Sequence, residues 1–378
     1  MNNLAWLAKY AFKSIDWPLL LLLLILSAMG LVVMHSAVGG TSWRYADQEK
    51  HFLMALFVMW AVAMTPPQII AKCAVPFYLI VLALLIGVEF FGETSKGATR
   101  WLNLGFVRIQ PSEMMKIGAP MMLAWYFQFR DRHIYFIDYV IAAIVVLVPF
   151  ALIVKQPDLG TALLVMGAGF YVIFFAGLSF KLIIPVVVLG VVGLSTILYF
   201  EDFLCLPDTN WVMLHDYQKG RICTLLDPTK DPLGKGFHTM QSMIAVGAGG
   251  LSGRGYMSGT QAQLDFIPER TTDFIFAVFA EEFGLYGAVT LLALYALVIW
   301  RGLVIALRAE SLFGRLLAGA LTMELFVYIF VNIGMVLGLL PVVGVPLPFF
   351  SYGGTALITL SVAFGILMSI SKHNKTQN

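Results

Sequence analysis

Residues 264–282 read LDFIPERTTDFIFAVFAEE, a polar, proline-containing stretch that runs straight into an apolar segment. The apolar character continues to about residue 300, and about 20 such residues suffice to cross a bilayer. Asp265, Glu269, Asp273, Glu281 and Glu282 therefore put carboxylates at or just below a membrane surface. Charge at that depth costs roughly 2.5–3.5 kcal/mol per residue at a helix centre, so acids there mark function.

Working outward, the whole chain has the same character. Sixty per cent of its 378 residues are hydrophobic and 12% are charged, whereas a soluble domain carries about 25% charged residues. Apolar runs of spanning length fall at 18–38, 51–66, 71–91, 112–128, 138–155, 158–177, 181–200, 272–300, 314–340 and 351–371. The expected fold is an all-α polytopic membrane protein with ten transmembrane helices. The first run begins at Pro18 and lacks a small-residue cleavage pattern, so it is expected to stay as a span rather than be removed as a signal peptide. No repeat or second domain is apparent, and residues 1–378 read as a single membrane domain.

Ten spans place both termini on one side. With the termini cytoplasmic, inner segments carry Lys9, Lys13, Lys72, Arg130, Arg132, Lys181, Arg301, Arg308, Arg315, Lys372 and Lys375. Short outer loops carry Arg44, Lys50, Lys96, Arg100, Arg108 and Lys155, so the basic excess lies inside, as insertion requires. One large outer loop remains, 201–271. Within it, 236–247 reads as a short apolar helix suited to the interface, and Gly247, Gly249, Gly250, Gly253 and Gly255 impose turns. Cys205 and Cys223 lie in this loop and could pair in an oxidising compartment, although spacing alone does not decide it. Cys73 reads as a small core residue.

Four constellations carry possible chemistry. In the first, Thr271 or Thr272 is the expected N-cap and Asp273 falls in the first helical turn, where the helix dipole favours a carboxylate. Asp273 is then either a helix-start stabiliser or a reactive group. Glu281 and Glu282 lie about 12 Å further along at 1.5 Å per residue, and need partners inside the bundle. In the second, GATRWLNLGFVRIQPSEMMK at 97–116, Glu113 and Lys116 share a helix face. Arg100 and Arg108 precede them with Trp101, and could hold a phosphate or simply anchor at the interface. In the third, QPDLGTAL at 156–163, Asp158 reads first as a helix cap. In the fourth, LPVVGVPLPFFSYGGTA at 340–356, prolines and glycines forbid regular helix. Such backbone at membrane depth is either a buried turn or a cavity wall. Phosphate-loop, dinucleotide and paired-histidine metal motifs are absent, and nothing supports nucleic-acid binding.

These four blocks, in this order and spread over nearly the whole chain, resemble the signature blocks of the SEDS family (shape, elongation, division and sporulation). The QLDFIPER form of the acidic block and the FFSYGGT ending are closer to its elongation branch than to its division branch. The resemblance implies a ten-span peptidoglycan glycosyltransferase of the bacterial inner membrane that polymerises lipid II at the outer, periplasmic face. It implies a class B penicillin-binding protein, a transpeptidase, as partner alongside other elongation-complex proteins. By position Asp273 matches the family's essential aspartate, Glu113, Lys116 and Asp158 its polar cavity, and Arg100 the arginine of its first block. Glu269 is then expected at the substrate entrance with Asp265, and Glu281 in the cavity beneath the base. One departure stands out: Thr271 occupies the place where the family usually has histidine.

The chemistry that joins both readings has Asp273 as general base on an acceptor hydroxyl. Lys116, Arg100 or a divalent cation (Mg2+ or Mn2+) would neutralise the pyrophosphate leaving group. The competing class is a flippase or transporter, which would gather polar residues at the midplane. Only Glu324 sits near the middle of a span, so surface catalysis is the favoured expectation.

Overall fold

The computed structural model describes residues 14–373 apart from 41, 96–97, 104, 106–107, 131–133, 179, 201–202, 204, 206–215, 227–234, 265–266 and 268. It is mostly helical. The first helices are α1 (Trp17–Ala37), α2 (Trp43–Ala63) and α3 (Pro67–Phe91), followed by strands β1 (Glu93–Ser95), β2 (Ala98–Asn103) and β3 (Arg108–Ile109). Next come α4 (Pro111–Gln128), α5 (Phe136–Lys155), α6 (Leu159–Phe175) and α7 (Phe180–Tyr199). Helices α8 (Asp216–Leu226), α9 (Lys235–Gly249) and α10 (Thr260–Gln263) belong to the polar loop. The chain ends with α11 (Ile275–Arg308), α12 (Leu312–Val336) and α13 (Gly354–His373). Six of these, α1, α3, α5, α11, α12 and α13, are long and apolar enough to cross a membrane. The other four apolar runs are also helical, as α2, α4, α6 and α7.

The fold is not purely helical. β1, β2 and β3 form an antiparallel sheet in that order. Its residues face polar partners across the strands rather than a lipid phase: Thr94 pairs with Thr99 through their hydroxyls at 2.9 Å, and Arg108 meets Glu93 at 3.2 Å. Arg108 also lies over the Trp101 ring at 5.0 Å. Cross-strand pairs of this kind stabilise a short sheet that has little apolar face to bury.

Helix α12 is the hub. It packs against α4, α6 and α11, while α13 lies along α2. Outward positions such as Leu53, Phe57, Ile144 and Leu147 are exposed and apolar, as a lipid-facing surface requires. Cys73 is exposed too, against expectation. The buried stripe of α3 runs through Ile70, Ala74, Tyr78, Val81 and Leu85, and position 73 falls off it.

The segment expected as one continuous span from 272 is broken. Gly284 within α11 has φ 64° and ψ −160°, a backbone region closed to residues with a Cβ. Breaking a helix exposes amides and carbonyls that lipid cannot satisfy. Here the glycine-rich loop after α9 supplies the partners. Leu285 and Tyr286 donate to the carbonyls of Gly250 and Leu251 (2.9 and 3.1 Å), while Arg254 and Gly255 donate to those of Glu281 and Glu282 (3.0 Å each). A Cβ on Gly284 would come within 2.3 Å of the Gly253 nitrogen.

Two further ties close the bundle. Cys205 and Cys223, left open by the sequence, are disulfide-bonded. Asp16, the N-cap of α1, accepts Arg301 Nε at 3.0 Å and Nη2 at 2.6 Å, and Ser371 Oγ at 2.6 Å, joining α1, α11 and α13. Burial alone would push the Asp16 carboxyl up, but the bonds from Arg301 and Ser371 win and hold it below its ordinary 3.8.

Two outcomes follow. Alkylation of unfolded protein without reductant should tag Cys73 alone, and after reduction all three cysteines, read by intact mass. Because the folded Asp16 pKa is depressed, its contribution is present above the unfolded pKa and lost as pH falls through the lower, folded one. Asp16→Asn should therefore destabilise the protein at pH 7 by about 1–3 kcal/mol, seen as a lower melting midpoint in detergent, with the gap narrowing towards pH 3.

Candidate active site

The acidic turn comes before its helix. Phe274, not Thr271 or Thr272, is the N-cap of α11, so Asp273 lies outside the first helical turn. Glu269 adopts φ +54°, and its carbonyl accepts the amides of Thr272 and Phe274 (3.0 and 3.4 Å), curling 269–274 into a tight turn. The Thr272 hydroxyl bonds back to Glu269 Oε2 at 3.1 Å. Thr271 is buried, and its carbonyl accepts the amide of Tyr352 at 2.8 Å.

The 337–353 segment is the wall against which this turn rests. Asn332 of α12, fully buried, donates to the carbonyls of both Asp273 (2.9 Å) and Val345 (2.7 Å). Gly344 adopts φ +74°, which favours glycine, and faces the carboxylate: a Cβ there would stand 3.4 Å from Asp273 Oδ2. Tyr295 donates to the Pro348 carbonyl (2.6 Å), Gln48 to that of Ser351 (3.2 Å), and Ser351 Oγ accepts the Leu347 amide (2.8 Å). Tyr352 donates to Asp47 at 2.8 Å.

On the other side of the wall lies the second group. Gly160 sits so close to Val343 that an added Cβ would be 2.8 Å from the Val343 carbonyl oxygen. Just before it, Asp158 caps α6 by accepting the Thr161 amide at 3.3 Å, as expected. Its other oxygen faces Arg100 at 3.7 Å and accepts from Gln110 at 3.1 Å. Arg100 also donates to the Pro157 carbonyl at 3.2 Å. Deeper in the bundle, Lys116, 1% exposed, contacts Glu113 Oε1 at 2.6 Å and the Tyr328 hydroxyl. Glu324, one turn below Tyr328, lines a void of about 10 Å³ with Lys116, room for one water. Tyr328 is one turn below Asn332, about 6 Å along α12. The paired charges thus lie one helical turn beneath the Asp273 turn.

The structure gathers Arg100, Glu113, Lys116, Asp158 and Asp273 around one wall. Glu113 Oε2 and Arg100 Nε are buried without hydrogen-bond partners, leaving capacity for a ligand. Glu281 is placed differently. It is fully buried and accepts from the Thr260 hydroxyl and the Gln261 amide (3.1 Å each), tying the loop to α11. Glu282 accepts from Ser36 in α1. Glu269 is exposed and lines a polar pocket of about 480 Å³ with Arg270, Ser42 and Arg44. Asp265 lies outside the described residues.

Three residues escaped the sequence reading. Asn332 and Tyr328 are single polar residues in an apolar helix, visible only as such. His238, from α9, stacks on Phe274 with ring centroids 6.0 Å apart. Burial pushes its imidazole pKa down, with Glu269 opposing. An imidazole thus stands beside the turn although none precedes Thr-Asp-Phe in sequence. Among the described residues, no three His, Cys, Asp or Glu converge as a metal site.

A broken helix, an irregular wall and paired charges one helical turn from a half-buried carboxylate define a polytopic membrane protein with a polar centre among its helices. The chain belongs to the FtsW/RodA/SpoVE family, described as cell cycle protein, which it matches over residues 16–376. It is 49% identical to peptidoglycan glycosyltransferase MrdB of Escherichia coli (strain K12) over 364 residues, covering 96% of this chain and 94% of that one. Its fold is similar to a chain solved in a study of structural coordination of polymerization and crosslinking by a peptidoglycan synthase complex. That match has a TM-score of 0.79 and 30% identity, covering 96% and 98% of the two chains. The rod shape determining protein RodA of Thermus thermophilus is also similar, with TM-score 0.69 and 27% identity over the same shares.

Asn332→Asp keeps the shape but removes the donor to two buried carbonyls. It should cost about 1–3 kcal/mol and speed hydrogen exchange at the Tyr352 amide and across 271–274, measured by exchange mass spectrometry.

Proposed function

We propose that the chain is the elongation glycosyltransferase of its family, polymerising lipid II into glycan strands, with Asp273 as general base. The observation that carries this is the Asp273 turn, held by Asn332 and Tyr352 over a layer of paired charges. A base needs a fixed position and an adjacent electrostatic partner for the charge that develops, and this arrangement supports both. The near-full-length likeness to a peptidoglycan glycosyltransferase supports the reaction class.

In this reading, the GlcNAc 4-hydroxyl of the acceptor gives its proton to Asp273 as its oxygen attacks the donor MurNAc anomeric carbon. The bond from that carbon to the pyrophosphate oxygen breaks, and undecaprenyl pyrophosphate leaves. Attack opposite the leaving group turns an α linkage into a β-1,4 bond. Pyrophosphate leaves without protonation, so one base suffices, and Arg100 and Lys116 supply positive potential to the departing charge. Glu113 and Asp158 hold those two cations in place. Glu269 borders the entrance, and Glu281 keeps the loop against the outer half of α11. The described residues do not offer a ligand set for a divalent cation. Mg2+ or Mn2+ accordingly enters this reading only as a companion of the substrate pyrophosphate, and no step is routed through it.

All ten apolar helices span in this proposal, with both termini cytoplasmic, and residues 201–271 and the catalytic turn are periplasmic. The disulfide between Cys205 and Cys223 is consistent with that side. A class B penicillin-binding protein is the partner, in keeping with the synthase complex in which the similar chain was solved.

Asp273→Asn preserves shape and removes the base. Purified variant given lipid II together with the partner should lose about 10²–10⁴-fold in glycan polymerisation with an unchanged melting profile. Polymer at the unmodified rate would overturn the assignment.

A further inference from the structure

Tyr352 is held twice. Its amide donates to the Thr271 carbonyl at 2.8 Å, and its hydroxyl donates to Asp47 Oδ2 of α2, also at 2.8 Å. Asp47 and Tyr352 are 305 positions apart in sequence, and Thr271 precedes Asp273 by two residues. One aromatic residue therefore joins a carboxylate on α2 to the backbone that carries the base.

The packing of α2 explains how Asp47 reaches this position. The buried residues of α2, Gln48, Phe52, Ala55, Met59 and Ala63, recur at the spacing of one helix face. That face lies close against α13: a Cβ on Gly365 would stand 2.7 Å from the Met59 carbonyl oxygen. The close approach sets the first two turns of α2 beside residues 351–354, where the wall passes into α13. There the contacts become polar. Gln48 donates to the Ser351 carbonyl at 3.2 Å, and Asp47 accepts the Tyr352 hydroxyl. The His51 ring packs on Gly354, where a Cβ would come within 2.8 Å of Nε2. His51 Nε2 stands 3.7 Å from the same Asp47 oxygen, too far for a hydrogen bond, so Tyr352 rather than His51 holds that oxygen.

We infer that Asp47 is a positioning residue for the Asp273 base, acting through the side chain of Tyr352. This rests on the glycosyltransferase reading and adds to it a residue remote from the reacting atoms. A single amide bond between two irregular segments fixes their separation but leaves residue 352 free to swing. Anchoring the ring at its far end removes that freedom, and Thr271 is then held in register with the wall. A misplacement of about 1 Å can cost on the order of 10²-fold in rate, so the second anchor acts on turnover. Asp47 does not line the polar pocket at Glu269, so substrate affinity is expected to be unaffected. A carboxylate that only fastened α2 to the wall would lower stability and leave the turnover of the folded protein unchanged.

The test compares full-length variants in detergent, each with the transpeptidase partner. Lipid II polymerisation is measured per folded protein, and hydrogen exchange is measured without substrate. Asp47→Ala should lower kcat about 10–100-fold with KM within about twofold, and should speed exchange at the Tyr352 amide. Asp47→Asn keeps an acceptor oxygen for the phenol and should recover most of both. Tyr352→Phe should match Asp47→Ala, and the double variant should be no worse than either alone, because all three remove the same bond. Asp16→Asn, which loosens the opposite end of α1, is the control: its melting midpoint should fall while the kcat of the folded protein stays unchanged. Unchanged kcat in Asp47→Ala overturns the inference. So do equal losses in the alanine and asparagine variants, additive losses in the double variant, or unchanged exchange at Tyr352. Absence of polymer from the unmodified protein overturns the glycosyltransferase reading instead, and exchange at Tyr352 still decides whether Asp47 holds the turn.

Discussion

A bilayer offers no hydrogen bonds, so every irregular stretch of backbone within it must find partners in the protein. Three irregular stretches meet in this chain: the break at Gly284, the turn at 269–274 and the wall at 337–353. Each is satisfied by another part of the protein. The glycine loop after α9 fills the gap at Gly284. Tyr352 of the wall donates to Thr271 of the turn, and Asn332 bridges turn and wall from below. Removing the wall would strand an acceptor in the turn, and removing the glycine loop would strand donors and acceptors at the break. The backbone position of Asp273 is therefore a consequence of hydrogen-bond satisfaction along the turn and the wall.

The same economy governs charge. Buried ions are tolerable when paired, and the polar centre is arranged in tiers of pairs: Arg100 with Asp158 towards the surface, Lys116 with Glu113 and Tyr328 a turn below Asn332. The pairs hold long side chains in fixed orientations while leaving Glu113 Oε2 and Arg100 Nε unspent. Preorganised polar groups of this kind do not have to reorganise when charge develops, which is the source of their catalytic effect.

Much of this was legible in the residues. Apolar run lengths located every long helix, and the blocks around Arg100, Glu113, Asp158 and Asp273 each contributed a member of the polar centre. What was not legible depended on contacts distant in sequence. Thr271 looks like a cap, but Tyr352 claims its carbonyl from 81 positions away. The break at Gly284 is invisible in FAEEFGLYG, because only the loop at 249–255 makes it affordable. Cys73 was placed inside on composition, whereas the stripe of α3 decides its face. His238 reached the turn by the packing of α9, which no local spacing announces.

The Asp16 tie has a consequence for how the chain is made. Asp16 enters at the head of the first helix, yet its guanidinium partner follows 285 residues later and its hydroxyl partner 355 residues later. At roughly 5–20 residues per second, the ribosome takes on the order of 15–60 s to deliver Arg301. Throughout that interval α1 lies in the membrane with the ionic tie unmade, and α13 is the last piece to reach it. The bundle is thus fastened at the end where α1 begins only after α13 has been made.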